Sequence, residues 1–240
     1  MLGIRIRRYN KKDRQTVRDI CWETAFLGKP ADAFFQDREI LCDFLTAYFT
    51  DYEPQGAFVA DAGGKVVGYL ISVRDVKVME RKLKRVLLPK LILKAVIRGT
   101  LFHLKNLGFI VRCIISLMRG EFRSVDISES PVATFHINLR AGHRGEGIGA
   151  KLLHAFEFYL RQARVPEVVA STASAEAGKF FMRHGFRHVV SVERSYWKHL
   201  TGKKTKVSLY GKRVLPTEGS AVFAQISFPK KKRKRGRGVS

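Results

Sequence analysis

Arg144-Gly145-Glu146-Gly147-Ile148-Gly149 is a glycine-rich turn set between an apolar segment, Ala133 to Leu139, and an amphipathic stretch running to about Ala163. The segment before it alternates. Phe135, Ile137 and Leu139 fall on one face and Thr134, His136 and Asn138 on the other, as a half-buried strand requires. After the glycines, Ile148, Leu152, Phe156 and Leu160 recur every four residues, which predicts a helix with one buried face. The turn therefore sits at a helix N-terminus, where backbone N–H groups lack intrahelical partners and the dipole is positive, so a phosphate is stabilised without a charged side chain. Glycine suits such a loop because a Cβ would obstruct close approach of backbone to ligand.

The spacing is that of neither common nucleotide loop, since no Lys-Ser/Thr follows the last glycine and there is no full Gly-x-Gly-x-x-Gly frame. Arg144, Gly147 and Gly149 instead form Arg-x-x-Gly-x-Gly. This resembles the acetyl-CoA loop of the GCN5-related N-acetyltransferase (GNAT) superfamily. A second segment, Ser174 to Phe186, is similar to that superfamily's Asn-x-x-Ala-x-x-Phe-Tyr-x-x-x-Gly-Phe signature. Ala177, Phe180 and the Gly185-Phe186 pair match; Ser174 replaces Asn and Phe181 replaces Tyr.

The N-terminal third reads as a strand, Ile4 to Arg7, a helix, Asp13 to Ala25, and a hairpin whose strands flank Gly63-Gly64. That hairpin, with Cys21 to Gly28 and the His136 to Leu139 strand, resembles bacterial acetyltransferases related to the acetyltransferase-like domain of O-GlcNAcases. The resemblance implies an α/β (α+β) domain over residues 1–215, with a mixed, mostly antiparallel central sheet flanked by helices. It also implies acetyl-CoA as co-substrate, no metal, and a small-molecule or protein amine as acceptor. The fourth and fifth strands would splay to admit the thioester. Cofactor contacts would come from Ile137, Asn138, Leu139, Arg144, Gly145, Glu146, Gly147, Ile148 and Gly149, with Ser174 and Phe181 from the second motif.

Acetyl transfer needs a neutral amine and a proton donor for the leaving thiolate. His136, on the polar face of its strand and of near-neutral intrinsic pKa, is the candidate base; a structural role within the sheet is the plainer alternative. Phe181 stands where the superfamily often has a proton-donating Tyr, leaving Tyr196 or a water for that role, or a chain that binds acetyl-CoA without efficient transfer. Phe at helical spacing is also ordinary core. Asp126 and Glu129 precede the strand and could act through water.

With 240 residues, 45% hydrophobic, the chain can bury a sizeable core as one domain. Cys21, Cys42 and Cys113 imply neither a disulfide framework nor a Cys-x-x-Cys metal site. With no signal-like N-terminus and no run of about 20 uncharged residues, the expectation is a cytoplasmic protein, peripheral at most at the inner membrane face.

The formal net charge of +24 is unevenly spread. An insert of about residues 76–120 carries a net +10 between Lys77 and Arg119, and the stretch Pro229 to Ser240 has seven basic residues and no acid. Pro89 suits a helix start, Lys90, Lys94 and Arg98 form a charged row, and Leu104, Val111, Ile115 and Met118 oppose Lys105, Arg112 and Arg119. These read as basic amphipathic helices, with three uses open: packing on the sheet with a solvated charged face, contact of residues 77–119 with an anionic membrane, or a lid guiding an anionic substrate. The tail, residues 216–240, reads as a disordered basic segment making non-specific polyanion contacts.

Overall fold

The computed structural model describes residues 3–122 and 131–215. The tail expected at 216–240 and the candidates Asp126 and Glu129 lie outside the described residues.

Seven strands form one mixed sheet: β1 (Ile4–Arg8), β2 (Phe58–Ala62), β3 (Lys65–Val73), β4 (Val132–Leu139), β5 (Glu167–Thr172), β6 (Arg187–Arg194) and β7 (Thr205–Arg213). Their spatial order is β1-β2-β3-β4-β5-β7-β6, and β4 against β5 is the one parallel pairing among them. The β2–β3 hairpin turns at Gly63 and Gly64, both at positive φ, as a two-residue loop between twisted strands demands. Asp61 accepts from the Gly64 N–H at 2.6 Å and is paired with Arg7, fixing that turn to β1.

Period-two alternation in β4 divides the core into two layers. Ala133 and Phe135 face α6 (Ile148–Gln162) and α7 (Ala175–Arg183), packing with Leu152, Phe156, Leu160 and Phe186. The opposite face carries Tyr69 and Ile71 of β3 against α1 (Arg14–Thr24), with Val17, Ile20 and Cys21, and a wide turn, Tyr48–Tyr52, that continues α2 (Arg38–Ala47). Each fully buried residue of this kind contributes about 1.5–3 kcal/mol.

The insert is helical: α3 (Val76–Lys82), α4 (Leu88–Ile97) and α5 (Leu104–Met118), with Pro89 in the first turn of α4. A short α8 (Lys198–Thr201) lies in the β6–β7 connection. Part of the insert's charge is turned toward the body instead of solvent. The charged row of α4 faces α2: Lys94 pairs with Asp43 at 2.6 Å and Glu39 at 3.4 Å, and Arg98 with Asp37 at 3.0 Å. Behind them Arg18, fully buried, pairs with Asp43 and Glu39. The basic side of α5 runs along its border with the rest of the domain, Lys105 donating to the Asp32 carbonyl at 3.0 Å and Arg119 to Ser195 Oγ at 3.3 Å while both stay exposed. Lys94 and Arg98 are thus paired with acids while Lys90 and Lys105 stay exposed, and the insert is apolar on both sides: Leu91 and Ala95 are buried and Phe109 and Ile110 pack inward, whereas Ile97, Leu104 and Met118 face outward.

Candidate functional site

The β4–β5 ladder is short. It runs from Val132 opposite Glu167 to Thr134 opposite Val169, although β4 continues to Leu139 and β5 to Thr172. Beyond Thr134 the two strands separate, while β4 stays paired to β3 through Leu139 and β5 to β7 through Thr172. The far half of β4, including Ile137, Asn138 and Leu139, thus offers a backbone edge to a gap in the middle of the sheet.

The glycine loop lies at the mouth of that gap. Gly147 caps α6 with φ +74°, and Gly145 has φ +87°, both in the region where a side chain is strained. A Cβ at either would meet nothing within 4 Å, so the space above the loop is open. The first helical bond runs from the Lys151 N–H to the Gly147 carbonyl at 3.2 Å, and no side chain caps the helix. The N–H groups from Gly147 to Ala150 therefore point along the axis without intrahelical partners, the arrangement that holds a phosphate. Ile148 is buried and anchors the turn; Glu146 stays exposed, 3.7 Å from His143. Gly149 has a different task. A Cβ there would stand 3.3 Å from Phe180 and 3.9 Å from Ile137, so its missing side chain lets α6 lie close to α7 and β4.

Arg144 is held by protein carbonyls, donating to Leu139 at 3.3 Å and Gly28 at 3.1 Å, which ties the loop to the α1–α2 connection. Asn138 donates to the buried Tyr69 hydroxyl at 2.7 Å. Burial pushes the Tyr69 phenol well above its usual pKa, so it remains protonated. Ser174 accepts from the Ala177 N–H at 3.2 Å as N-cap of α7 and donates to Glu176 at 2.9 Å. Phe181 lies in the core, its ring 5.7 Å from Phe135 and 5.8 Å from Tyr210.

His136 sits on the α1–α2 side of β4, edge-on to Phe49 at 5.1 Å. It is solvent-accessible, yet enough atoms surround it that desolvation lowers its pKa. Among the described residues no hydrogen bond engages its ring, so a neutral imidazole there keeps a free lone pair. Tyr196 lies elsewhere, in the β6–β7 connection, stacked on Phe122 at 5.6 Å and edge-on to Trp197 at 4.9 Å. Burial raises its pKa. Among the described residues no hydrogen bond or ring contact joins it to His136.

The pattern missed what surrounds these residues. Phe26, Phe34, Phe109 and Trp197 form one aromatic cluster, with Phe34 and Phe109 4.6 Å apart, joining the α1–α2 connection, α5 and the β6–β7 connection. The insert is thereby packed onto the α1–α2 connection, to which Arg144 ties the glycine loop. Aromatic residues in three connections were the available signal, without anything in sequence to bring them together. Among the described residues no cluster of His, Cys, Asp or Glu could hold a metal, and no helix is long and apolar enough to cross a membrane.

No protein-family model and no curated protein matches the chain. Solved structures do. SsHAT is similar over 89% of this chain and 100% of its own, with 26% identity and a TM-score of 0.67. yncA from Salmonella typhimurium, solved with its cofactor acetyl-CoA, is similar over 91% of this chain and 98% of its own, at 16% identity and TM-score 0.56. The Drosophila melanogaster polyamine N-acetyltransferase is similar over 88% and 100%, at 14% identity and 0.56. The seven-stranded mixed sheet flanked by helices is thus the fold of the GNAT acetyltransferases.

Proposed function

We propose that this chain is an acetyl-CoA-dependent N-acetyltransferase acting on a small-molecule or protein amine, nearest in kind to the bacterial acetyltransferases related to the acetyltransferase-like domain of O-GlcNAcases. The observation that carries the reading is the uncapped, open N-terminus of α6 at the end of a strand that has parted from its parallel neighbour. A pyrophosphate fits the free N–H groups from Gly147 to Ala150, and the exposed edge of β4 suits an amide-bearing arm. Bound acetyl-CoA would supply the acetyl group as a thioester. The acceptor amine forms the C–N bond as the C–S bond breaks; His136 takes the proton lost by the amine, and a donor returns one to the thiolate sulfur. Phe181, a core residue without a hydroxyl, cannot be that donor. This favours water or Tyr196, or the second reading, an acyl-CoA-binding module without efficient transfer.

The test is CoA release from acetyl-CoA in the presence of a panel of polyamines, aminoglycosides and peptide amines. Acceptor-dependent release supports transfer. Saturable acetyl-CoA binding with no release for any amine supports the binding module, and absence of both removes the cofactor assignment.

A further inference from the structure

Most of the exposed large hydrophobic side chains among the described residues fall between Leu88 and Met118. They are not scattered. Ile97 is 77% exposed, Phe102 90%, and Leu104 and Met118 each 83%, and Leu93 of α4 and Leu117 of α5 are exposed too. The polar residues of α5 are turned inward: Asn106 accepts from the Gln36 N–H at 2.7 Å and donates to the Thr100 carbonyl at 3.1 Å, and Ser116 bonds to Glu121. An exposed apolar patch of this extent marks an interaction surface.

We propose that the outer face of α4 and α5 docks on the interface of an anionic lipid bilayer. Ten residues in α4 and fifteen in α5 make helices of about 15 and 22 Å, too short to span about 30 Å of hydrocarbon. Lying flat, they immerse the apolar face about 5–10 Å into the headgroup boundary. Charge selects the lipid. Lys94 and Arg98 are paired with the acids of α2, but Lys90 and Lys105 stay exposed and a groove of about 360 Å³ beside α5 is lined by Arg112, Arg119, Lys198, His199, Ile115 and Ser195. Ile115 belongs to both groove and apolar face, so phosphate headgroups meet the basic side chains where acyl chains meet the apolar ones. A second copy of this chain would set one such basic surface against another, which repulsion disfavours. This proposal does not depend on whether the glycine loop binds acetyl-CoA.

Flotation of the full chain with vesicles of phosphatidylcholine alone, or mixed with phosphatidylglycerol, tests it. Binding is expected with the mixed vesicles. Phe102→Asp combined with Leu104→Asp is expected to weaken it at least tenfold without moving the thermal unfolding midpoint. In a Phe102→Trp variant, indole emission should shift to the blue on the mixed vesicles and be quenched by brominated acyl chains, a readout that decides the matter even if the double variant unfolds. Undiminished binding of a folded double variant, or an introduced indole that stays in water, overturns the proposal. So does a full chain that ignores vesicles but dimerises, or captures an acidic protein, through Phe102 and Leu104.

Discussion

Helices α5 and α6 are each fifteen residues long and each has two sharply different faces, yet they meet opposite surroundings. In α6 the apolar face is buried, Leu152, Phe156 and Leu160 lying wholly inside the core. In α5 the buried set includes Asn106 and Ser116, while Leu104, Leu117 and Met118 face out. A hydrophobic period shows that a helix has two faces; which face the protein takes depends on partners elsewhere in the chain. For α6 the partner is the sheet. For the insert it is the acidic row of α2 and the aromatic cluster, which take up Lys94, Arg98, Phe109 and Ile110 but leave the outer apolar side chains uncovered.

The contrast can be broken most directly with one residue type in two places. Phe156→Ala should cost about 3–5 kcal/mol in denaturant unfolding, whereas Phe102→Ala should stay within about 0.5 kcal/mol. Equal losses would mean that the insert's outer face is part of the fold's own core. The docking of α4 can be tested at Asp43. Asp43→Asn leaves the fully buried Arg18 with Glu39 as its remaining carboxylate and takes one acid from Lys94, and should destabilise by about 3 kcal/mol, near the lower end for a broken buried pair. A neutral result would place the stability of that contact in Glu39 alone.

At the site the effects are on activity. His136→Ala should lower kcat by about 100-fold or more with the acetyl-CoA Kd unchanged, as measured by steady-state kinetics and calorimetry. A normal rate removes His136 as the base. Gly147→Val places a branched side chain in the open space above the loop at a positive φ. It should weaken acetyl-CoA binding at least tenfold, about 1.4 kcal/mol, and an unchanged Kd would displace the pyrophosphate from that loop.

The smallest effect is on pH dependence. Desolvation lowers the His136 pKa below 6.5, so its neutral form persists to lower pH than in an unfolded chain. The unfolded state then binds more protons just below pH 6.5, and the His136 contribution to stability falls as pH drops through that window. In the kcat/KM profile the acid limb assigned to His136 should lie below pH 6.5; a limb above it would contradict the desolvated position.

Local pattern reached far into this fold. Alternation in β4, the glycine loop and the period of α6 lie within thirty or so adjacent residues, and each element forms where those patterns put it. Pro89 at the start of α4 followed equally from its fixed φ. The early end of the β4–β5 ladder after Thr134 is a different matter: it is a long-range pairing, implied by family resemblance and invisible in either strand alone. The orientation of α4 was hidden for the same reason, since Asp37, Glu39 and Asp43 stand some fifty to sixty residues from Lys94 and Arg98. Within the site, sequence identified Asn138 and Arg144 but not their partners, Tyr69 and the Gly28 carbonyl, which only the β3–β4 register and the α1–α2 connection bring near.

Calorimetric titration of acetyl-CoA into the full chain at moderate salt, beside CoA and inorganic tripolyphosphate as controls, tests the central claim most directly. The glycine loop and the parted strands predict saturable one-to-one binding of acetyl-CoA that survives salt, and weak salt-sensitive binding of tripolyphosphate. Equal, salt-sensitive binding of all three would mean that the basic surface alone attracts phosphate and that the cradle at α6 holds no cofactor.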